Sequence, residues 1–151
     1  MSDHARIIGH SIQRTVRIDA PRDKVWAALT EPSLLAKWMG ESAEFSAFEV
    51  GGTGVLDYDD FGNFPLRITA IEPQDVFEYR WSGEPRDVLD DVDSTVVRFT
   101  LESDGDATLV TVVESGFDKI AGGTAQRRDR LEQNRDGWNI ELDELAALLE
   151  I

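Results

Sequence analysis

The sequence predicts an α+β fold, a curved antiparallel sheet of about six to seven strands with two short helices and a long C-terminal helix lying across it. Three observations carry that expectation. Apolar and polar residues alternate with a period of two in a series of runs between residues 11 and 117, separated by short turns. Pro21 and Pro32 each stand where a short helix can begin. Residues 125–149 carry one apolar stripe at helical spacing, with no proline to interrupt it.

The first strand is "SIQRTVRID", in which Ile12, Arg14, Val16 and Ile18 share a face. Pro21 then opens a helix at its preferred first position, with Asp23 in the positive first turn. Val25, Trp26, Ala28 and Leu29 give that helix its apolar side. Pro32 cannot continue the helix but can start another, so Leu34, Leu35 and Trp38 fall on a second helical piece. Trp26, set among aliphatic neighbours, is expected to pack in the core. Trp38, after the break, is expected to border the entrance of a cavity.

Strand signals continue through Phe45 and Phe48 to a turn at "GGTG", residues 51–54. "VLDYDD" alternates Leu56 and Tyr58 against acids, and "FGN" turns again. "FPLRITAIEP" sets Phe64, Leu66, Ile68 and Ala70 on one face, and "DVFEYRW" does the same with Phe77, Tyr79 and Trp81. "STVVRFTLE" adds Val97, Phe99 and Leu101, and Asp104-Gly105-Asp106 turns into "LVTVVESGF". Connections this short between alternating runs require an antiparallel meander.

The last helix, about 125–149, would be ~36 Å long. Its stripe runs through Leu131, Arg135, Trp138, Leu142, Leu145 and Leu149, with Asn134 beside it. Gly137 costs ~1 kcal/mol relative to alanine inside a helix and is expected to admit a closely packed neighbour. Ile140 lies opposite the stripe. This order of elements is a helix-grip arrangement. Whether its inward aromatics meet tip to tip in a solid interior or line a pocket stays open.

Composition narrows the function. The 151 residues carry 30 Asp and Glu against 15 Lys and Arg, a net charge of -15, which repels nucleic acid and anionic membranes. The acid runs at 57–60 and 87–93 read as solvated surface and a mobile loop. Cysteine is absent, which excludes disulfides and thiolate chemistry. No apolar run is long enough to span a membrane, and "MSDHARIIGH" lacks the features of a secretory signal, so a cytoplasmic location is expected. The length suits one domain over 1–151, with 1–9 as an N-terminal extension.

No nucleophile motif or phosphate-binding glycine loop is present. With two histidines near the N-terminus and no cysteine, neither a metal nor a cofactor is expected, and His10 reads as a partly exposed edge residue. The inward polar groups are more informative. If Val110 and Val112 face inward, Glu114 does too, and burial then demands a partner, for which Arg135 is the candidate. In the other register Val113 faces inward, Glu114 lies at the sheet edge and Arg135 reaches water. Both registers remain open, and Arg14 on the first strand is inward by the same alternation.

The blocks "VRIDAPRDKVWAALTEPSLLAKWMG", "ITAIEPQDVFEYRW", "VRFTLESDGDATLVTVVESGF" and "DGWNIELDELAALL" occur in that order over about residues 10–149. The chain thereby resembles the bacterial domains related to the C-terminal domain of the Hsp90 ATPase activator, within the START/Bet v 1-like superfamily that includes polyketide cyclases. The resemblance implies a cavity between the long helix and the sheet for a small lipid-like, aromatic or polyketide-like molecule. Cyclase-type chemistry with Glu114 as acid or base is a variant of that reading. Residues expected to bind the ligand are Trp38, Phe48, Leu56, Tyr58, Phe64, Leu66, Tyr79, Trp81, Phe99, Glu114, Asn134, Arg135, Trp138 and Leu142. The alternative is a co-chaperone-like interaction module without a substrate, and under either reading a monomer or homodimer is expected. Two departures from the family pattern stand out: Glu114, where many relatives carry an uncharged residue or histidine, and the strongly acidic loop 82–93.

Overall fold

The computed structural model describes residues 4–150. Eight strands form one antiparallel sheet: β1 (Arg6–Ile8), β2 (Ser11–Ile18), β3 (Ser42–Phe45), β4 (Thr53–Tyr58), β5 (Gly62–Glu72), β6 (Val76–Ser82), β7 (Ser94–Asp104) and β8 (Ala107–Ser115). Their spatial order is β1-β2-β8-β7-β6-β5-β4-β3. Helices α1 (Arg22–Thr30) and α2 (Pro32–Leu35) follow β2, and α3 (Thr124–Leu149) closes the chain after a 3-10 turn at Phe117–Lys119. The fold is therefore the predicted Bet v 1-like α+β arrangement, with one strand more than the upper expectation. The addition is β1: Gly9, at φ 62, turns Arg6–Ile8 back onto β2, so part of the segment expected to precede the fold is its edge strand. Residues 1–3 of that segment lie outside the described residues.

Strand register decides which side chains meet the helix. On β2, Ile12, Arg14, Val16 and Ile18 are all buried, as alternation requires. On β6, Phe77, Tyr79 and Trp81 point inward, and Glu78 points out to meet Arg98 Nη1 at 2.9 Å. One expectation fails locally. A register shift between Ile68 and Ala70 pairs Ala70 with Glu78 and Ile71 with Phe77, so Ile71 packs against the core and Ala70 leaves the inward face. A bulge inserts one residue and reverses the sides beyond it, which a strict period of two cannot foresee.

Buried side chains cluster between the sheet, α1 and α2. Trp38 is 2 % exposed, donates its indole N–H to the Ala28 carbonyl at 2.8 Å and meets Phe99 edge-on. It is a core residue and does not border an entrance. Trp26, the expected core plug, is only half-buried and lies edge-on to Phe77. Helix geometry explains the exchange: Val25, Ala28 and Leu29 occupy the buried side of α1, which leaves Trp26 on its flank. The acidic loop is also more ordered than a solvated run. Asp93 is buried, bonded to Arg86 and to the Ala121 backbone N–H, while Arg67 meets Asp91 at 2.8 Å.

Candidate functional site

A second region of the interior stays open. Between α3, β6 and the β4–β5 hairpin lies a cleft of about 520 Å³. Its walls carry Tyr58, Phe64, Trp81 and Trp138, its rim Phe61 and Ile140, and its polar groups Ser82, Gln133, Asn134, Asp136 and Glu141. Strand alternation brings the first three inward from β4, β5 and β6, and the α3 periodicity brings Trp138 down to meet them. The ring centroids of Trp81 and Trp138 stand 6.3 Å apart, and those of Phe64 and Trp81 stand 6.0 Å apart.

Glu114 holds this wall in place. It has no exposed surface and points inward from β8 opposite Ile12 and Val97. Its Oε1 accepts the Trp138 indole N–H at 2.9 Å, and Oε2 accepts the Trp81 indole N–H at 2.9 Å and the Thr95 hydroxyl at 2.5 Å. Asn134 Nδ2 lies 3.1 Å from both oxygens. A buried carboxylate needs its lone pairs filled, and here uncharged donors fill them. Arg135 is not among them: it is 35 % exposed and donates to the adjacent Asp136. Positions 134 and 135 both border the stripe, and the shorter neutral amide takes the inward place. Sealed in this way, Glu114 cannot reach a guest, and the acid-base role expected of it has no route to the cleft.

A different carboxyl does reach the cleft. Glu141, one turn beyond Gly137 on α3, accepts the Tyr58 hydroxyl at 3.0 Å. Burial raises its pKa from the ordinary 4.5 to about 8, with the nearby charges of Glu114 and Glu144 adding to the rise and the Tyr58 hydrogen bond opposing it. Burial likewise raises the Tyr58 and Tyr79 phenols well above 10. Gly137 lines the cleft, and a Cβ built there meets nothing within 4 Å. The missing side chain thus leaves room for a guest, in place of the close-packed neighbour expected from the sequence.

Among the residues expected to bind a ligand, Tyr58, Phe64, Trp81, Asn134 and Trp138 line the cleft, and Glu114 stands directly behind. Leu56, Leu66, Tyr79, Phe99 and Leu142 are buried core residues, and Phe48, 41 % exposed, packs on Phe45 and Phe77. Sequence reasoning missed Phe61, Ser82, Gly83, Gln133, Asp136, Gly137 and Glu141 as lining residues; Ile140 is exposed, as its place opposite the stripe predicts, and also borders the cleft. Position 141 is four residues from Gly137 and three from Trp138, so helical spacing alone could have placed Glu141 near the ring wall.

The sequence model described as Activator of Hsp90 ATPase homolog 1-like protein matches residues 19–150. No curated protein matches the chain. Among solved structures, DynU16 from the dynemicin biosynthetic locus is similar with a TM-score of 0.74 and 28% identity, over 95% of this chain and 48% of that one. The chain thus spans about half the length of DynU16. MLL2253 from Mesorhizobium loti matches with a TM-score of 0.72 and 27% identity, over 91% of this chain and 96% of that one. The Aha1 dimer from Colwellia psychrerythraea shares the fold with a TM-score of 0.71 and 23% identity, over 93% of this chain and 96% of that one.

Proposed function

The chain belongs to the family of Activator of Hsp90 ATPase homolog 1-like proteins, within the START/Bet v 1-like superfamily, and from that membership we propose that it binds a small apolar molecule in the cleft beside α3. One observation carries the reading: a roughly 520 Å³ opening walled by aromatic rings lies beside the buried core. Cavities of that size, mostly apolar with a few placed polar groups, suit a ligand of drug-like dimensions. Tyr58 and Glu141 supply the placed groups. A cyclase-type proton transfer would need only positioning plus an acid-base group, and Glu141 is the carboxyl that could serve.

Thermal unfolding and tryptophan fluorescence with a panel of flat aromatic compounds test the proposal. Trp81 and Trp138 line the cleft, so an occupant should alter their emission and raise the melting temperature. The Gly137→Phe variant, with a ring filling the cleft, should lose both responses. No change in either signal across the panel would count against a ligand site. The interaction-module reading, on which the exposed Phe61, Val88 and Val92 would meet a partner, would then gain, most of all if a stoichiometric protein partner were found.

A further inference from the structure

Resting on the cleft reading, we infer that the ligand is cationic, an apolar aromatic body carrying a protonated amine that seats against Glu141. The reason is an imbalance between donors and acceptors on the cleft walls. The indole N–H groups of Trp81 and Trp138 and the side-chain amide of Asn134 are all given to Glu114. The Tyr58 hydroxyl is given to Glu141, and the Ser82 hydroxyl to the Glu84 carbonyl. No lysine or arginine is among the lining residues. Gln133 and, while it is protonated, the Glu141 carboxyl are the side-chain donors that remain, and both are uncharged.

Acceptors, by contrast, are left over. A carboxylate offers about four lone-pair positions. Glu141 fills one of them with the Tyr58 hydroxyl, and Asp136 uses Oδ1 for Arg135. A guest rich in carboxylate oxygens would lose its water and find only uncharged donors and no cation in return, a poor exchange for a negative charge. A guest bringing N–H groups would find acceptors already in place. Positive charge adds to this preference, because aromatic faces attract cations and the net charge of -15 raises their local concentration.

The surroundings of Glu141 hold the same sign. Tyr58 faces it from β4, Tyr79 from β6, Glu114 from β8 and Glu144 from its own helix, and every titratable group in that set is neutral or negative. The empty cleft therefore favours the protonated acid, consistent with the pKa of about 8. A bound ammonium reverses that balance and draws the proton off, so binding near neutral pH expels close to one proton. Neither an uncharged guest nor an anion does this.

The test uses three probes of one shape, naphthylmethylamine, naphthylmethanol and naphthoate, titrated by calorimetry near neutral pH in buffers of different ionisation enthalpy. The amine should bind at least about tenfold tighter than the alcohol, naphthoate weakest, with proton release for the amine only. Glu141→Gln keeps an acceptor for Tyr58 and should abolish both the preference for amine over alcohol and the proton release. Equal affinity for amine and alcohol, or amine binding without proton release from the wild-type protein, overturns the inference and leaves the apolar cleft standing. The proton count is read on the unmodified chain, so it does not depend on the variant folding. If none of the three probes binds, the cleft reading itself fails, and this inference fails with it.

Discussion

Trp138 donates its indole N–H to Glu114 across 2.9 Å, so the longest helix of the fold is fastened to β8 through a carboxylate with no exposed surface. The same carboxylate holds Trp81 of β6 and Asn134 of α3. One side chain thereby sets the distance between helix and sheet at the cleft and orients two of its walls. In this role Glu114 acts through the tryptophans, as a positioning residue.

Glu114→Ala would strand the Trp138 indole N–H, the Thr95 hydroxyl and the Asn134 amide, and would leave the Trp81 indole with the Thr95 hydroxyl at 3.1 Å. At ~1–3 kcal/mol for each donor left unsatisfied, a loss of at least ~3 kcal/mol is expected even if some rotate to other partners. Urea denaturation measures it, and a change below ~1 kcal/mol would mean that the cluster contributes little. Trp fluorescence should also shift towards the wet limit, since the Trp138 indole loses its fixed partner and the Trp81 indole keeps only Thr95.

Gly137 offers a change in the opposite direction. It sits inside α3 with open space where its Cβ would be. Gly137→Ala should therefore gain ~1 kcal/mol of helix propensity without a clash. For a domain of this length that corresponds to a rise of about 2–4 °C in melting temperature. A fall on calorimetry would show that the backbone there needs the glycine.

The pH dependence of stability follows from Glu141. Its pKa is raised on folding from 4.5 to about 8, so the folded state binds more protons than the unfolded state between those values. Stability is unaffected by this group below about pH 4.5, falls as the pH rises towards about 8 and levels off above it. Glu141→Gln removes that loss. Urea midpoints of the two proteins should diverge with rising pH across this window, with the variant the more stable. Parallel profiles would show that the carboxyl is not perturbed.

Arg14 ties the next turn of α3 to the first long strand. Its guanidinium, 2 % exposed, donates to the carbonyls of Trp138 at 3.1 Å and Asn139 at 2.9 Å and to Asp143 at 2.6 Å. The planar fork serves three acceptors at once, a geometry that an ammonium does not reproduce. Arg14→Lys should cost ~1.5–3 kcal/mol. Amide hydrogen exchange around residues 138–143 should quicken more than exchange at the C-terminal end of the helix. Uniform acceleration along α3 would point instead to global destabilisation.

Alternation along "SIQRTVRID" allowed Arg14 to be inward, and alternation along "LVTVVESGF" allowed the same of Glu114, without deciding either. The partner of Glu114 was less accessible. Asn134 and Arg135 are equally close to the helical stripe, and periodicity cannot choose between neighbours 100° apart on a helix of 3.6 residues per turn. The choice came from the sheet, which presents an enclosed oxygen pair already met by two indoles and a hydroxyl. Trp26 and Trp38 show the same limit. Trp26 lies within α1 and Trp38 in the turn after α2, not on a second helical piece as expected, and only the docking of α1 and α2 made Trp38 the buried one.

By itself, then, the amino-acid order determined the elements, their antiparallel sequence, the helix-grip class and the family resemblance, because local periodicity and turn chemistry act over a few residues. Tertiary structure alone decided that the cleft exists, that Glu141 opens onto it and that Glu114 does not. Those outcomes depend on which side chains from β4, β6, β8 and α3 reach the same point in space. Such convergence is set by register, bulges and helix docking across most of the chain, and no local pattern encodes it.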